Sequence, residues 1–478
     1  MTLAADVLQG PPIAWFPLTP LLVLLGGALF LLVVGALTPR WPKGLYAAFT
    51  ASTAGAAMVL SFFIWDDVTD EGATTIVGDA IAVDGFAMFA TIVIAAAVLL
   101  TSLTSDDYLR REQLDGPEIY GLYLLAAIGG VVMATANDLV VLFLGLEVLS
   151  IAMYVLAASH RRRSQSQESG IKYFVLGGFS SAFFLYGIAL IYGGTGHTNF
   201  RRIITAVNST VQIDRQDALV LAGVALLIVG LGFKVAAVPF HFWTPDVYQG
   251  APSPVTAFFA SLGKAAAFAA MLRVLVVALP QWRDDWRPAI WVIAVATLVV
   301  GSVLAVVQAD VKRMLAYSSV SHAGFILVGL EAAGHRAGEA DQGLGMSSVL
   351  LYLLLYAVLV SGTFAVVTLV TRTGDDATDL SAFRGLGRSR PALALGMTVL
   401  LLAQAGVPLT SGFVAKFGVI QAAVDEQSYA IAIIAMVSAV IAAFLYLRIM
   451  ISMWIADPES GDDDREPVRV PFSAALGI

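Results

Sequence analysis

Apolar runs of about 20 residues recur along almost the whole chain and limit its possible folds more than any other feature. Each run is long enough to cross a bilayer as a helix, and only 13% of the residues are charged. We predict spans at 17–37, 44–65, 83–104, 118–136, 138–158, 168–193, 217–238, 253–279, 288–308, 313–331, 346–371, 391–424 (broken) and 428–454. Val468 begins another apolar run, which we expect to be the start of a last helix. The sequence therefore predicts an all-α polytopic membrane protein with about 14 transmembrane helices.

The distribution of lysine and arginine between the loops predicts the orientation. If the N-terminus faces outside, fifteen of the 27 Lys and Arg residues lie in inner loops and six in outer loops. Such an excess is typical of the inner side of a membrane. The net charge of −8 predicts no nucleic-acid partner, and the lack of cysteine excludes disulfides and Cys-ligated metal clusters.

Helix breakers interrupt the chain at two similar places. The first is GFKVAAVPFHF at 232–242, and the second is AGVPLTSGFVAKF at 405–417. Five predicted spans separate them, so the two segments would enter the membrane from opposite sides. Broken helices in inverted repeats are typical of ion-coupled transporters. Proline kinks are also tolerated in ordinary membrane helices, so the breaks alone leave a purely structural interpretation open.

Four charged residues within the predicted spans are the first candidates for function: Glu147, Lys234, Lys264 and Lys416. A charge at the centre of a membrane helix costs about 2.5–3.5 kcal/mol on insertion scales, so four of them indicate a role. Burial favours the neutral form of such groups, and a nearby opposite charge favours the charged form. A Glu147–Lys234 pair that forms and breaks would therefore make Lys234 hold and release a proton.

Each of these residues also has a structural interpretation. Lys234 and Lys416 could extend to a membrane surface, and Glu147 could belong to a static buried pair. His322 could relay a proton or only hydrogen-bond a neighbouring helix, whereas His241 lies in the first break and is a further relay candidate. We expect Arg273 to reach a membrane surface, and we find no carboxylate besides Glu147 deep within a predicted span.

Several long stretches of the chain resemble the proton-translocating, antiporter-like subunits of respiratory complex I. They include VPFHFWTPDVYQGAPSPVTAFFASLGKAAAF at 238–268, DLVVLFLGLEVLSIAMYVL at 138–156, QADVKRMLAYSSVSHAGFILVG at 308–329 and DLSAFRGLGRSRP at 379–391. The resemblance implies two inverted five-helix repeats with broken helices. The expected segments are an N-terminal three-helix segment (1–117), a first repeat (118–279), a second repeat (288–454), and a loop with the start of a last helix (455–478).

The resemblance also implies roles for individual residues. Glu147 and Lys234 correspond to the ion pair of the first half-channel, Lys264 to the central connecting lysine, Lys416 to the exit-side residue of the second half, and His322 to a bridging polar residue. The family often has two prolines in its second break, whereas here Leu409 follows the only proline.

The function that this resemblance implies is proton pumping in the membrane arm of an NADH-quinone oxidoreductase, a translocase of a bacterial inner membrane. The chain itself would do no redox chemistry and bind no cofactor. NAD, FMN, iron–sulfur clusters and quinone would belong to partner subunits, and the partners of the chain would be other membrane-arm subunits and lipids. Two alternatives remain open: a subunit of a multi-subunit cation/proton antiporter, and a purely structural subunit.

Overall fold

The structure, a computed structural model, describes residues 13–209, 214–339, 343–371 and 373–457, and these residues are mostly helical. The helices are α1 (Thr19–Leu37), α2 (Leu45–Glu71), α3 (Gly85–Arg111), α4 (Pro117–Thr135), α5 (Leu139–Ala157), α6 (Ser164–Thr195), α7 (Phe200–Ser209), α8 (Asp214–Val235), α9 (Trp243–Gly250), α10 (Ser253–Phe258), α11 (Lys264–Leu272), α12 (Arg283–Val306), α13 (Val311–His335), α14 (Gly345–Val370), α15 (Leu386–Ser389), α16 (Pro391–Ala405), α17 (Ser411–Asp425) and α18 (Tyr429–Trp454). Two short strands, β1 (Thr74–Ile76) and β2 (Ile81–Val83), form an antiparallel hairpin between α2 and α3.

Each predicted span between residues 17 and 454 corresponds to a helix or to a broken helix in the described part of the chain. Eleven of the described helices are long and apolar enough to cross a membrane. The predicted all-α membrane fold is confirmed, with the small hairpin, α7 and α9 as elements that the sequence did not predict. The helix predicted to begin at Val468 lies outside the described residues.

The most deeply buried helices lie at the centre of the molecule. The stretch from α10 to α11 is continuous, with one π-helical turn over Phe259–Gly263 and another over Arg273–Ala278. α13 is buried on nearly every side, and the C-terminal half of α14 is buried as well. A helix that is buried on all sides contacts several neighbours at once, so these three segments can bring polar groups from both halves of the chain together.

Small residues set how closely α4 and α5 approach each other. A Cβ atom added to Gly129 would lie 2.4 Å from the main-chain nitrogen of Leu149, and one added to Gly145 would lie 2.9 Å from the main-chain oxygen of Gly129. Membrane helices pack closely where glycine lets their backbones meet. This contact fixes the part of α5 that carries Glu147.

The same hydrogen-bond pattern between the start of a helix and a distant threonine occurs twice in the chain. The backbone N–H after Asp138, at the start of α5, donates to the carbonyl of Thr198 at 3.0 Å, and the backbone N–H after Asp310, at the start of α13, donates to the carbonyl of Thr378 at 2.8 Å. In both places the threonine hydroxyl also donates to the aspartate carboxylate. An internal repeat would produce this recurrence, and the inverted repeats themselves stay a prediction.

Candidate functional site

The first broken helix places Lys234 beside an interruption in the backbone. α8 ends at Val235, and Ala236 turns the chain with a φ of 63°. The indole N–H of Trp243, the first residue of α9, donates to the carbonyl of Phe233 at 2.8 Å. The last carbonyls of a helix have no partner within it, and inside a membrane protein other groups must satisfy them. The indole supplies one of these partners.

Aromatic rings surround the ammonium group of Lys234. Its Nζ atom lies 5.3 Å from the ring centre of Tyr154, 5.4 Å from that of Tyr173 and 5.7 Å from that of Phe233. Lys234 is 5% exposed, and within the described residues its Nζ has no hydrogen-bond partner. Ring faces attract cations, so this cage favours the charge without fixing it by a hydrogen bond.

Glu147 lies near Lys234 without forming an ion pair with it in the described structure. Its Oε1 atom is buried there and has no hydrogen-bond partner. The two charges nevertheless act on each other through space. The predicted pair is therefore not formed as a salt bridge in this structure, and its forming and breaking stay predictions.

Lys264 is bound to α13. The residue lies directly after the first π-helical turn and is 2% exposed. Its ammonium donates to the main-chain carbonyl of Ser319, and its Nζ lies 5.8 Å from the ring centre of Tyr356. Single π-helical turns within α-helices occur frequently at functional sites. Here the π-helical turn directly precedes Lys264, the buried cation that contacts the neighbouring helix α13.

The side chain of Ser319 extends the contact of Lys264 to further polar groups. The hydroxyl of Tyr356, on α14, donates to the Ser319 Oγ at 2.9 Å. The hydroxyl of Tyr248, on α9, lies 3.4 Å from the same oxygen. Ser319 thus joins the lysine, the second part of the first broken helix, and α14.

His322 lies one turn after Ser319 on α13 and is hydrogen-bonded through both ring nitrogens. Nδ1 lies 2.6 Å from the hydroxyl of Tyr352, and Nε2 lies 3.1 Å from the hydroxyl of Tyr446. The Tyr446 hydroxyl also lies 2.6 Å from the Ser318 hydroxyl. A neutral imidazole has one nitrogen that donates and one that accepts. This arrangement can therefore pass a proton from one tyrosine side to the other, and the bridging role itself stays a prediction.

Lys416 caps the first part of the second broken helix. α16 ends at Ala405, α17 begins at Ser411, and Lys416 donates to the carbonyl of Ala405 at 3.0 Å. Its Nζ lies 4.8 Å from the ring centre of Phe325 on α13. Cations stabilise the C-terminal end of a helix through its dipole. Lys416 is thus held by hydrogen bonding, in contrast to Lys234.

The second break differs from the double-proline pattern at Leu409. This residue has a φ of 73° and a fully exposed side chain. Proline is locked near −65° and cannot adopt that angle. The departure from the family pattern therefore changes the backbone of the break, while Lys416 still reaches the end of α16.

His241 lies apart from this chain of contacts. It is 4% exposed, its ring packs against that of Phe242 with centres 4.6 Å apart, and its Nδ1 has no hydrogen-bond partner in the described residues. Its role as a relay stays a prediction. The described residues also contain no group of three or more His, Asp or Glu placed to hold a metal ion.

Comparison with known proteins matches the part of the chain that carries the candidate residues. A model of the family described as NADH:quinone oxidoreductase/Mrp antiporter, TM matches residues 136–442, which include all six candidate residues. The chain belongs to this family. Two relatives are NADH-quinone oxidoreductase subunits N. That of Rhodococcus opacus (strain B4) is 42% identical over 97% of this chain and 91% of the relative. That of Mycobacterium tuberculosis (strain CDC 1551 / Oshkosh) is 39% identical over 99% and 93%. The sequence resemblance to antiporter-like subunits is thereby confirmed, and subunit N is the member that the chain most resembles.

Chains of three solved structures have the same fold. A chain of respiratory complex I from Thermus thermophilus with bound aureothin aligns with a TM-score of 0.77 and 31% identity, covering 96% of this chain and 94% of that one. A chain of the archaeal membrane-bound sulfane sulfur reductase aligns with a TM-score of 0.83 and 27% identity, covering 96% and 91%. A chain of the Mrp complex from Dietzia sp. DQ12-45-1b, at 21% identity, has a TM-score of 0.79 and covers 96% and 86%. This last similarity concerns the fold alone.

Asp375 is a buried acid of this family member that the sequence did not single out. It is fully buried, in the connection between α14 and α16. It accepts hydrogen bonds from the main-chain nitrogen and the hydroxyl of Ser253, and from the hydroxyls of Thr371 and Tyr108, at 2.8–3.0 Å. It therefore ties the connection to the ends of α3, α10 and α14.

Two cations complete the surroundings of Asp375. Lys312 and Arg163 each place a nitrogen 3.6 Å from its Oδ2. Burial alone would raise the pKa of Asp375, but Lys312, the Thr371 hydroxyl and Arg163 hold that pKa below its ordinary value. Lys312 also donates to the carbonyl of Ala251 at 2.6 Å. The cluster thus fixes the turn between α9 and the helix that carries Lys264.

One expectation about charges in the spans is wrong, and one further buried acid was not singled out by the sequence. Arg273 does not reach a surface: it is 4% exposed and makes two hydrogen bonds of 2.6 Å to Asp84, the residue that caps the start of α3. Glu331, the last residue of the predicted span 313–331, is a buried carboxylate that the sequence did not single out, and it is 2% exposed. Both residues lie near the ends of predicted spans, where a charge gives little signal in the sequence.

Proposed function

We propose that this chain is a proton-translocating membrane-arm subunit of an NADH-quinone oxidoreductase. The observation that carries the proposal is the central position of Lys264. It is a buried cation bound to α13 at Ser319, one turn from His322. A buried charge in a span is costly, and this one joins the two halves of the chain through hydrogen bonds. A subunit that moves protons along the membrane interior requires such a connection.

The first half would take up the proton at Lys234. Movement of Glu147 towards this lysine would favour its charged form, and movement away would favour release of the proton. The aromatic cage around Lys234 supports this cycle, because it leaves Nζ free of hydrogen bonds that would have to break first. Redox energy from partner subunits would drive the change in this pair.

The second half would receive the proton through Lys264 and the groups on α13. His322 accepts or donates at either nitrogen and can change tautomer as the proton passes. The charges of Lys264 and Lys416 both act on His322 through space. Like charges at this range repel one another, so arrival of a proton at one group favours its departure from the next.

The partners would supply the redox chemistry. Other membrane-arm subunits would flank the chain in a bacterial inner membrane, with lipids on the remaining faces and the N-terminus outside. NAD, FMN, iron–sulfur clusters and quinone would be bound by those partners. The sequence of this chain fits that division of roles between subunits, because it has no cysteine that could ligate an iron–sulfur cluster.

Replacing Lys264 tests the proposal. In the purified complex, reconstituted in liposomes, we expect Lys264→Met to lower the number of protons moved per NADH oxidised. Methionine is unbranched like lysine, one atom shorter, and carries no charge. The matched control is Lys43→Met, which removes an exposed lysine from a loop and should leave the ratio unchanged. A Lys264→Met complex that assembles and pumps like the wild type would contradict the proposal.

The composition of the solubilised complex separates this function from the cation/proton antiporter. Flavin and iron–sulfur absorbance would accompany the chain in an NADH-quinone oxidoreductase, and their absence from a complete complex would favour the antiporter.

A purely structural role of the chain predicts a different result for the Lys264 variant. In that case the neutral substitution of Lys264 would affect assembly and leave the proton ratio of the assembled complex unchanged.

A further inference from the structure

Glu331 is a buried carboxylate with no role in the pathway described above. It lies in the second-to-last turn of α13, at the end that faces outside under the predicted orientation, and it is 2% exposed. Its Oε2 atom is buried and has no hydrogen-bond partner in the described residues. Leaving such an oxygen unpaired costs about 1–3 kcal/mol, so the position requires an explanation.

The other carboxylate oxygen of Glu331 is already saturated. Oε1 lies 3.3 Å from Nε of Arg287, 3.1 Å from Nε2 of His335 and 3.4 Å from the hydroxyl of Ser428. These partners belong to α12, to the last turn of α13 and to the residue before α18. The three contacts hold the carboxylate in one orientation, so Oε2 is the oxygen that is free to accept a proton.

Glu331 lies outward of Lys416 along α13. The ammonium of Lys416 packs on Phe325, and Glu331 follows six residues later, which is about 9 Å along a helix axis. The His335 side chain lies one further turn out and is 21% exposed, so it reaches water. The order along α13 is therefore the cation of the second half, a buried acid, and a partly exposed imidazole.

The charged groups that face Glu331 leave its carboxylate open to a proton. Arg287 is the cation from α12, and its guanidinium also lies 3.7 Å from the exposed Asp284. Arg336 on the adjoining turn pairs with Glu426 at 2.5 Å. Ser428 adds no charge. Arg287 is thus shared between two acids, and among the described side chains that contact Glu331, His335 is the one that can exchange a proton with it.

We infer that Glu331 is the proton-release group of the second half and that His335 transfers the released proton to the outer water. A proton that leaves the ammonium of Lys416 would form an O–H bond at Oε2, carried across the gap by water. That bond would then break as His335 or water takes the proton, which restores the carboxylate. This inference rests on the proposed function and adds its last step.

Glu331→Gln tests the inference, because the amide oxygen can still accept from Arg287 and Ser428 while the group no longer takes up a proton. We expect the proton ratio of the assembled complex to fall to that of Lys264→Met. Glu331→Asp should keep at least half of the wild-type ratio, because it keeps the carboxylate.

The matched control is Glu426→Gln, which neutralises another partly buried acid at the same end and should pump like the wild type. Wild-type pumping by Glu331→Gln, or an equal loss in Glu426→Gln, would overturn the inference. If Glu331→Gln fails to assemble, the double variant Arg287→Gln/Glu331→Gln removes both charges, and normal pumping by that variant would overturn it as well.

Lys264→Met, measured in parallel, separates the two proposals. Loss of pumping in Lys264→Met together with wild-type pumping in Glu331→Gln rejects only the release group. Wild-type pumping in both variants rejects the proposed function itself.

Discussion

The residues around the two candidate lysines Lys234 and Lys416, one in each half of the chain, differ in their hydrogen bonding. In the first half, Oε1 of Glu147, the hydroxyl of Tyr154 and Nζ of Lys234 have no hydrogen-bond partner in the described residues. In the second half, His322 bonds to two tyrosine hydroxyls and Lys416 bonds to a main-chain carbonyl. An unpaired buried group costs about 1–3 kcal/mol, so the first half gains free energy from any new partner.

This difference separates a part that can switch from a part that is already connected. Glu147 and Lys234 can gain a water, a proton or each other without breaking an existing hydrogen bond of Nζ or Oε1. A proton that passes His322 instead moves along bonds that are in place before it arrives. The comparison predicts that control of transport lies in the first half and that conduction lies in the second.

Removing the Asp375 carboxylate, which contacts residues from both halves of the chain, gives the largest expected effect on stability. Asp375→Leu leaves Lys312 and Arg163 buried without their acid, and we expect a loss of about 3–5 kcal/mol in the stability of the complex. Thermal inactivation of the purified complex measures it. The double variant Lys312→Met/Asp375→Leu removes the pair together and should recover part of the loss. Equal stability of the Asp375→Leu variant and the wild type would show that Asp375 does not stabilise these contacts.

The same carboxylate predicts a pH dependence. The pKa of Asp375 is lower in the folded protein than its ordinary value of about 3.9. Its contribution is therefore fully present above that ordinary value and is lost as pH falls through the lower folded value. In acid titrations of stability, the wild type should lose this contribution at low pH, and the double variant should lack that part of the transition.

When one ionisable group is removed from each half, we expect stability to fall in the second half and not in the first. Lys234→Met should lower proton transport about tenfold or more, yet it removes an unpaired cation and should not lower stability. His322→Leu leaves two tyrosine hydroxyls without their partner and should lower stability by about 2 kcal/mol. Parallel measurements of thermal inactivation and proton ratio compare the variants. A destabilised Lys234→Met would reject the comparison.

A pair of hydroxyl deletions gives the smallest and most specific test. Tyr356→Phe removes a hydrogen bond of 2.9 Å to Ser319 and should cost about 1 kcal/mol. Tyr154→Phe removes a hydroxyl that has no partner in the described residues, and we expect a change within about 0.5 kcal/mol. Both variants keep the aromatic ring, so each serves as the control for the other. A reversed order would mean that the Tyr154 hydroxyl holds a partner in the membrane.

The sequence was sufficient for the membrane fold and to select candidate residues whose roles stay predictions. Apolar length predicted the helices, and the insertion cost of charge identified Glu147, Lys234, Lys264 and Lys416. Their separation into unpaired and hydrogen-bonded groups could not be predicted. It depends on which main-chain carbonyls lie within reach of each side chain, such as that of Ser319 for Lys264 and that of Ala405 for Lys416, and no local sequence pattern shows this.

Asp375 and Arg273 show why other charges were missed or misread. Asp375 lies in a polar loop, where acids are usually solvated, and its burial depends on contacts with Tyr108 and Arg163, far away in the sequence. Arg273 lies near the end of a span and looks able to reach water. Its true partner, Asp84, precedes it by 189 residues, and no local pattern connects them.

The position of Asp375 also has a consequence for biogenesis. Arg163 and Lys312 are synthesised well before the acid that neutralises them, so the nascent chain carries both cations without their partner until the loop at 371–379 has emerged. The start of α10, whose Ser253 is bound by the same carboxylate, waits for it as well. A chain truncated before Asp375 should therefore remain a loosely packed precursor, and chaperones or membrane proteases would meet its N-terminal helices in that state.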